Sequence, residues 1–591
     1  MGTVLRSPYV VPAKVWSYSS PDQTGETHLD NTEAITGAEW LARTLAVNGT
    51  SHVFFIDAVL RRTLIELGAL GVTRVLAHAE KSAAYMADGY ARIAGKPGIC
   101  FAQSVGAANL AAGLQDAWLG RSPVIALTGR EPPLYHHRNT YQEVPHGPLY
   151  SSVTKFSADV TDAADLPRLL RQAWREAMSG SPRPVHLDLY GRSAAVVEAS
   201  MVSEPVVVDP ALQMAMPPYR PTPSDDEIER AAAKLRAAKR IVIVAGAGAA
   251  ASGAGSEVLA LGEALAAPIG TSLGGRGVIP TRHRLSIGCP GNYAAPPANQ
   301  IVHEADLVVF IGCHTGDQVT HTWRIPPLET EVVQIDIDPL ELGRSYSRTL
   351  GLMGDPKATV AKLLVALGKP ARDSAFADRA AGIVAAWREE RAARLASNDA
   401  PILPDRLCAE ITRALPEDGI VVADTGYSGI WTSTLIELNG TTQTYLRAAG
   451  SLGWSFPAAL GAKCAAGNRK VICWSGDGAI YYHLTELETA RRRGIAVVLV
   501  INNNSGFGQG WPNIQRQQGN RPGDVRELVR FGPTNFADVA RVFGMRGIRV
   551  EEPSQIAPAL TEALASDETC VVDVATNIDA RAPEPWLPAG A

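Results

Sequence analysis

The sequence predicts three α/β units, each a doubly wound parallel sheet. Short, wholly apolar runs without polar alternation recur along the chain, as expected of strands covered on both faces. Segments of helical periodicity separate them, the pattern of strand–helix–strand crossovers. Several runs end directly on glycine or on a carboxylate, where ligands bind in such sheets. With 591 residues the chain is also too long for one hydrophobic core.

Residues 1–34 are rich in Ser, Thr, Pro and Asp and read as an extended arm. The first unit, 35–200, opens with an amphipathic helix over 38–47, followed by strands over 53–55 and 74–77. A helix over 82–93 and strands over 99–103 and 122–127 continue it. Proline and polar residues dominate 201–225, which is expected to be a linker. The second unit, 226–370, begins with the run 240–245 turning through Gly246 and Gly248, then strands over 307–312 and 332–338. An Ala- and Arg-rich helix over 374–398 fills most of the connection 371–403. The third unit, 404–577, carries strands over 419–424, 470–475 and 496–502, and a tail spans 578–591.

Composition excludes several classes. Apolar residues make up 46% and charged residues 19%, with a net charge of −5, so neither nucleic acid nor an anionic membrane is an expected partner. The seven cysteines, at 100, 289, 313, 408, 464, 473 and 570, form no CxxC pair, which fits a reducing cytoplasm better than a disulfide framework or zinc cluster. No apolar run reaches spanning length, and the polar N-terminus lacks a signal peptide's apolar stretch.

The most specific motif is Gly476-Asp477-Gly478, placed directly after the run 471–475. Asn502, Asn503 and Asn504 follow the run 497–501. Adjacent parallel strands bring Asp477 and Asn504 to one sheet edge, with a helix over 484–493 as the right-handed crossover. The carboxylate, the amide oxygen and the Gly506 carbonyl make a set of hard oxygen donors that suits Mg²⁺, an ion that commonly shares its shell with phosphates. Gly476 and Gly478 admit a diphosphate close to the backbone, the following helix offers its N-terminus to the anion, and Ala479 joins them as a cofactor-binding candidate. Elsewhere Glu80 lies between a buried strand and an Ala-rich helix. Local context leaves two readings for it, a helix-dipole partner or a proton-exchanging carboxyl.

These motifs, with others along the chain, resemble the acetohydroxyacid (acetolactate) synthase family of thiamine diphosphate enzymes from about residue 36 to the C-terminus. His78-Ala-Glu80 followed by Ala87-Asp-Gly-Tyr-Ala-Arg92 is similar to that family's HEQ and ADGYAR segments. Tyr141-Gln142-Glu143 is similar to its FQE, Gly450-Ser-Leu452-Gly-Trp to its GAMGF, and the turn from Thr425 to Trp431 to its diphosphate-holding turn. The twenty-seven-residue spacing of Asp477 and Asn504, one helix and one strand, matches the family's cofactor motif. The resemblance implies pyrimidine-binding, middle and diphosphate-binding domains. It implies that Glu80 exchanges a proton with the cofactor's aminopyrimidine ring and that Gln142 faces the reaction centre. Thr425, Gly426, Tyr427 and Ser428 would hold the diphosphate, and Gly450 and Leu452 would support the cofactor, Leu452 as the wedge that bends it. Asp477, Asn504 and Gly506 would hold Mg²⁺. A homodimer or homotetramer is implied, the first domain of one chain meeting the last domain of its partner across the active site.

The departures fall at substrate-facing positions. Asp57-Ala58-Val59 replaces a Pro-Gly-Gly turn, Gly191 and Gln318 stand where the family has a cationic Lys and Arg, and Asn513 replaces a channel Trp. Arg192, next to Gly191, is a candidate substitute for that Lys. The expected activity is carboligation or lysis next to a carbonyl, on a 2-oxo acid or 2-hydroxy ketone other than the family's usual substrate. The alternatives are a lyase of 2-hydroxyacyl-CoA or hydroxy ketones, a 2-oxo acid decarboxylase, or a non-catalytic structural or regulatory subunit. In the middle domain Gly246, Gly248, Asp336 and Asp338 leave FAD, ADP or no ligand open, with FAD favoured by resemblance. His136, His137, His146 and His314 are read as structural, while His483 and Tyr482, one helical turn from Asp477, are candidates to line the pocket.

Overall fold

The computed structural model describes residues 34–589 apart from residue 441, so most of the N-terminal arm lies outside the described residues. A two-residue strand β1 (Ile35–Thr36) precedes the first sheet, which comprises β2 (His52–Phe55), β3 (Thr73–Leu76), β4 (Gly98–Gln103), β5 (Val124–Arg130), β6 (Phe156–Val160) and β7 (Val185–Tyr190). Its order is β3-β2-β4-β5-β7-β6, parallel throughout. Strand β8 (Met201–Val202) returns to pair antiparallel with β1. Val206 and Leu212 are buried, so the segment read as a linker is folded onto the first unit over its first half.

The middle sheet holds β9 (Ile241–Ala245), β10 (Ile269–Thr271), β11 (Ser286–Gly288), β12 (Leu307–Ile311), β13 (Glu331–Asp336) and β14 (Thr349–Met353), ordered β11-β10-β9-β12-β13-β14. The last sheet holds β15 (Ile420–Ala423), β16 (Thr444–Arg447), β17 (Val471–Gly476), β18 (Val498–Asn503), β19 (Arg546–Val550) and β20 (Cys570–Ala575), ordered β16-β15-β17-β18-β20-β19. The fold class is as the apolar runs predict: the central strands β9, β12 and β15 are buried at every residue. In the first and last sheets the chain winds one way for one connection, in the middle sheet for two, and then crosses back. The direction reverses beside the first long strand, at β2/β4, β9/β12 and β15/β17. Such reversal points open a crevice at the carboxyl ends of the strands.

The first and last sheets share one topology, including the inverted final pair, and their equivalent helices pack on each other. Helix Glu80–Ala94 follows β3, helix Ser455–Ala466 follows β16, and their side chains share one core that includes Tyr85, Met86, Trp454, Phe456 and Leu460. Glycine allows this approach. A methyl on Gly89 would lie 2.0 Å from the Ala458 carbonyl oxygen, and one on Gly461 would lie 1.8 Å from that of Met86. Buried polar anchors fix the register: Trp454 Nε1 donates to Asp88 at 2.9 Å, and Arg92 clasps the same carboxylate through two bonds of 2.7 Å.

Candidate active site

The reversal point of the last sheet gathers the residues assigned to metal and diphosphate. Asp477 sits directly after β17, 2% exposed, with one carboxylate oxygen accepting from Gly478 N–H at 2.8 Å and the other from Gly506 N–H at 3.0 Å. Burial pushes its carboxyl up to about 6, against the opposing pull of backbone N–H groups from residues 478 and 504–506. Along the Asn run, strand alternation separates the roles. Asn503 turns away and binds Asp573 and the Thr534 carbonyl, whereas Asn502 and Asn504 keep buried side-chain oxygens that lack a hydrogen-bond partner. An orphaned buried acceptor on Asn504, in the loop that wraps Asp477, is what a hard cation would satisfy. The donor set therefore fits Mg²⁺.

The other turns converge on the same point. Gly426 has φ +67°, and a methyl there would lie 2.9 Å from Gln509 Oε1. The bare Cα of Gly476 faces Ser428 Oγ, and that of Gly508 faces Asn504 and Tyr427. Thr425 to Ser428, Gly476 to Ala479 and the loop 504–509 thus form one glycine-lined cradle at helix N-termini, a fit for a diphosphate.

Sequence reasoning missed the carboxylates that shape this cradle. Asp424, fully buried after β15, accepts from Thr425 N–H at 3.0 Å, Gly453 N–H at 3.1 Å and Ser455 N–H at 3.0 Å. One side chain thereby ties the Thr425 turn to the Gly450–Trp454 turn. Asp116, from the first domain, accepts from the N–H groups of Ala449, Gly450 and Ser451 and fixes the same turn from the other side. Asp424 had a local signal, being an acid directly after a wholly apolar run. For Asp116 the partners lie more than 330 residues away. Leu452 is half-buried in this turn and Gly450 is exposed.

In the first domain Glu80 is the first residue of its helix and half-buried. Its carboxylate lies against Gly106, where a methyl would come within 2.4 Å of Oε1, and Asn109 Nδ2 donates to Oε2 at 3.3 Å. Gln142 has φ +64°, its carbonyl accepts from Ser104 Oγ, and its side-chain oxygen is buried without a partner. Glu80 and Gln142 therefore meet at the loop 103–109. Among the described residues, neither side chain makes a hydrogen bond or ion pair with the Gly450 turn.

The neighbouring residues singled out in the sequence take the following positions. Asp57 folds back on Arg61 at the surface through bonds of 3.1 and 2.8 Å. His483 lies 2.8 Å from Ser82 Oγ of the first domain and beside Gly453 of the Gly450–Trp454 turn, its Nε2 is buried without a partner and burial pushes it down to about 4, while Tyr482 is 55% exposed. Arg192 is already paired with the buried Glu131 at 2.6 Å and stacks over Tyr141. Gly191 has φ +96°, and backbone atoms 2.5 Å away leave no room for a side chain where the resembling family has its Lys.

In the middle domain the residues offered to a nucleotide are engaged by the protein. Methyls on Gly246 and Gly248 would strike the backbone of Gly312 at 2.1 and 2.9 Å, so close strand-end packing accounts for both glycines. Asp336 accepts from Asp338 N–H at 2.9 Å, while Asp338 and the buried Glu341 flank Arg121 of the first domain at 3.6 and 2.7 Å. This arrangement is an interdomain staple and does not fit a diphosphate cradle. Among the described residues no helix is long and apolar enough to cross a membrane, and the cysteines, six of them buried, are free thiols.

Comparison with known proteins agrees with this architecture. Residues 35–148 match the family described as thiamine pyrophosphate enzyme, N-terminal TPP binding domain; 228–363 match its central domain and 424–574 its C-terminal TPP binding domain. A "probable acetolactate synthase large subunit" of Methanococcus aeolicus is 30% identical over 586 residues, 94% of each chain. A "probable 2-ketoarginine decarboxylase" of Pseudomonas aeruginosa is 32% identical over 503 residues, covering 83% of this chain and 86% of that one. The acetolactate synthase large subunit of Lactococcus lactis is 28% identical over 525 residues, 88% of each chain. With all three domains matched in order, the chain belongs to the acetolactate synthase-like family of thiamine pyrophosphate enzymes.

Proposed function

We propose that the protein is a thiamine diphosphate- and Mg²⁺-dependent enzyme that makes or breaks the carbon–carbon bond next to the carbonyl of a 2-oxo acid or 2-hydroxy ketone. The observation that carries this reading is the meeting of Asp477, Asn504 and Gly506 with two glycine-lined turns at the last sheet's reversal point, where Asn504 keeps a buried oxygen unpartnered. When bound, thiamine diphosphate supplies an electron sink for the carbon that loses its substituent. Asp477, Asn504 and the Gly506 carbonyl would hold the metal, the turns at Thr425 and Gly476 would receive the diphosphate, and Leu452 would support the cofactor. Glu80 holds and returns a proton at the aminopyrimidine ring, its carboxyl oriented by Asn109. Gln142 presents its amide to the reacting carbonyl.

A decarboxylase of a 2-oxo acid other than pyruvate is the better-supported form of the activity. Gly191 excludes a cation where the resembling family has Lys, Gln318 replaces Arg, and one relative carries the name of a 2-ketoarginine decarboxylase. Retention of Glu80, Asp477 and Asn504 together argues against a purely structural subunit. FAD or ADP gains no support from the middle domain's engaged residues. The scattered cysteines still favour a cytoplasmic enzyme, acting as a homodimer or homotetramer on a small carbonyl substrate.

Two measurements test the proposal. Titration calorimetry with Mg²⁺ present should show thiamine diphosphate binding to the wild type and none to Asp477→Ala; unaltered affinity in the variant removes the metal assignment. In a panel of 2-oxo acids, acetolactate formation from pyruvate should fall below a kcat/KM of about 10⁴ M⁻¹s⁻¹, the lower end of the common range. Pyruvate outrunning every other donor would make the protein an ordinary acetolactate synthase.

A further inference from the structure

A chain of hydrogen bonds that the proposed reaction does not use runs beneath the strand ends of the first domain. Ser157 Oγ lies 2.9 Å from His186 Nδ1, His186 Nε2 lies 2.6 Å from Thr128 Oγ1, and Thr128 donates to Asp188 Oδ1 at 2.7 Å. From the other side, His146 Nδ1 lies 3.0 Å from both Asp188 oxygens and its Nε2 lies 2.9 Å from the Ser104 carbonyl oxygen. The Ser104 hydroxyl donates in turn to the Gln142 carbonyl. His146, His186, Thr128, Asp188 and Ser104 are all buried. The two histidines and the aspartate bring three metal-ligating atoms close together, but the Thr128 hydroxyl already stands between His186 and Asp188. The group is a hydrogen-bond relay rather than a cation site.

Around His186 the direction of each proton follows from its partners. Burial pushes His186 down to about 4, so the ring is neutral and carries one proton. That proton faces Thr128, because the threonine's own hydrogen is spent on Asp188, and Ser157 donates to the other ring nitrogen. Burial alone would raise Asp188, but the hydrogen bond from His146, the nearby imidazoles and Thr128 hold it below the usual carboxylate range. His146 faces acceptors at both ring nitrogens, the Asp188 carboxylate and the Ser104 carbonyl oxygen.

The relay ends on two strained residues. Ser104 has φ +24° and Gln142 has φ +64°, left-handed conformations that side-chain-bearing residues hold only when the surroundings enforce them. Ser104 opens the loop that carries Gly106 and Asn109 against Glu80. We propose that His146, backed by Asp188, is a positioning residue for the reaction: it clamps Ser104 and, through the Ser104 hydroxyl, sets the backbone that presents Gln142 to the substrate. The inference rests on the roles assigned above to Gln142 and Glu80.

The test compares wild type, His146→Phe, Ser104→Ala, the double variant and Gln142→Ala, all saturated with thiamine diphosphate and Mg²⁺. Hydrogen exchange read by mass spectrometry should show about tenfold faster exchange over 103–109 and 139–146 in His146→Phe, and over 139–146 in Ser104→Ala, with other segments unchanged. Carbon dioxide release from the 2-oxo acid with the highest kcat/KM in the panel above should lose about tenfold in kcat/KM in each variant, with the double variant no worse than the weaker single, because both act through one chain. Ser104→Ala removes a single hydroxyl, so it remains informative where His146→Phe folds poorly. Wild-type protection over 139–146 in Ser104→Ala, or losses that multiply in the double variant, overturn the inference. Gln142→Ala separates the two readings: normal turnover in it removes the role of Gln142, whereas impaired turnover beside normal His146→Phe and Ser104→Ala removes only the clamp.

Discussion

His186 shows how a single buried side chain sets a pH limit on the fold. Its folded value of about 4 lies below the ordinary 6.5, because burial penalises the charged ring. The unfolded chain therefore takes up a proton as pH falls through 6.5, while the folded chain does not until near 4, so stability is lost over that window and not above it. Between pH 7.5 and 5 the loss from this one residue comes to about 2 kcal/mol. His186→Gln should reduce the difference in unfolding free energy between those pH values, read from denaturant titrations, by that amount. An identical shift in variant and wild type would place the proton elsewhere. None of this was legible in sequence, where His186 sits inside an apolar strand and was not singled out. Legibility at this scale follows distance along the chain. Asp477 and Asn504 announce themselves because strand–helix–strand spacing alone brings them to one edge. Asp116, His146 and Asp188 acquire meaning only from partners across the fold.

At the scale of elements, apolar runs located β2 to β5, β9, β12, β13, β15, β17 and β18 but passed over the other strands, among them the incompletely buried edge strands β6, β11 and β19 and the buried inner strands β7 and β20. The close packing of two helices was equally silent, because a glycine in a helix reads as a weak position until its neighbour is known. Helices Glu80–Ala94 and Ser455–Ala466 cross where Gly89 and Gly461 bring backbone against backbone. Carbonyls cannot swing aside as side chains do, so Gly461→Ala should cost at least the roughly 1–3 kcal/mol of an overpacked core and loosen the first domain from the last. Gly382→Ala is the control. That glycine lies exposed in helix Ala375–Leu395 with open space around it, and the change should add up to about 1 kcal/mol through helix propensity. Thermal melts of the two variants should move in opposite directions; equal shifts would mean that the helix crossing is softer than its geometry implies.

At the scale of the whole molecule, the crossing of those helices bears on where a complete active site forms. Ser82, Tyr85, Met86 and Gly89 turn toward the chain's own last domain. Glu80 and Gly89 are nine residues apart, which at 3.6 residues per turn puts them on opposite sides of the helix. The Gly450 turn of the same chain is held by Asp116, ten residues beyond the Gly106 that touches Glu80 and therefore about 15 Å further along that helix. One chain thus keeps Glu80, the carboxylate proposed to exchange the proton, apart from its own Gly450 turn, and under that proposal a second copy related by a twofold axis would bring the two together. The prediction is complementation. Glu80→Gln alone should lose about 10²–10⁴-fold of its activity, and Asp477→Ala should be inactive for want of cofactor. Unfolded together and reassociated at equal amounts, the two variants form mixed dimers in which one site combines both changes and the other has neither. Random pairing makes half of the dimers mixed, so activity should recover to about a quarter of the wild-type value. A site built within one chain would contain a damaged residue in every subunit, and the mixture would then be no more active than the better parent.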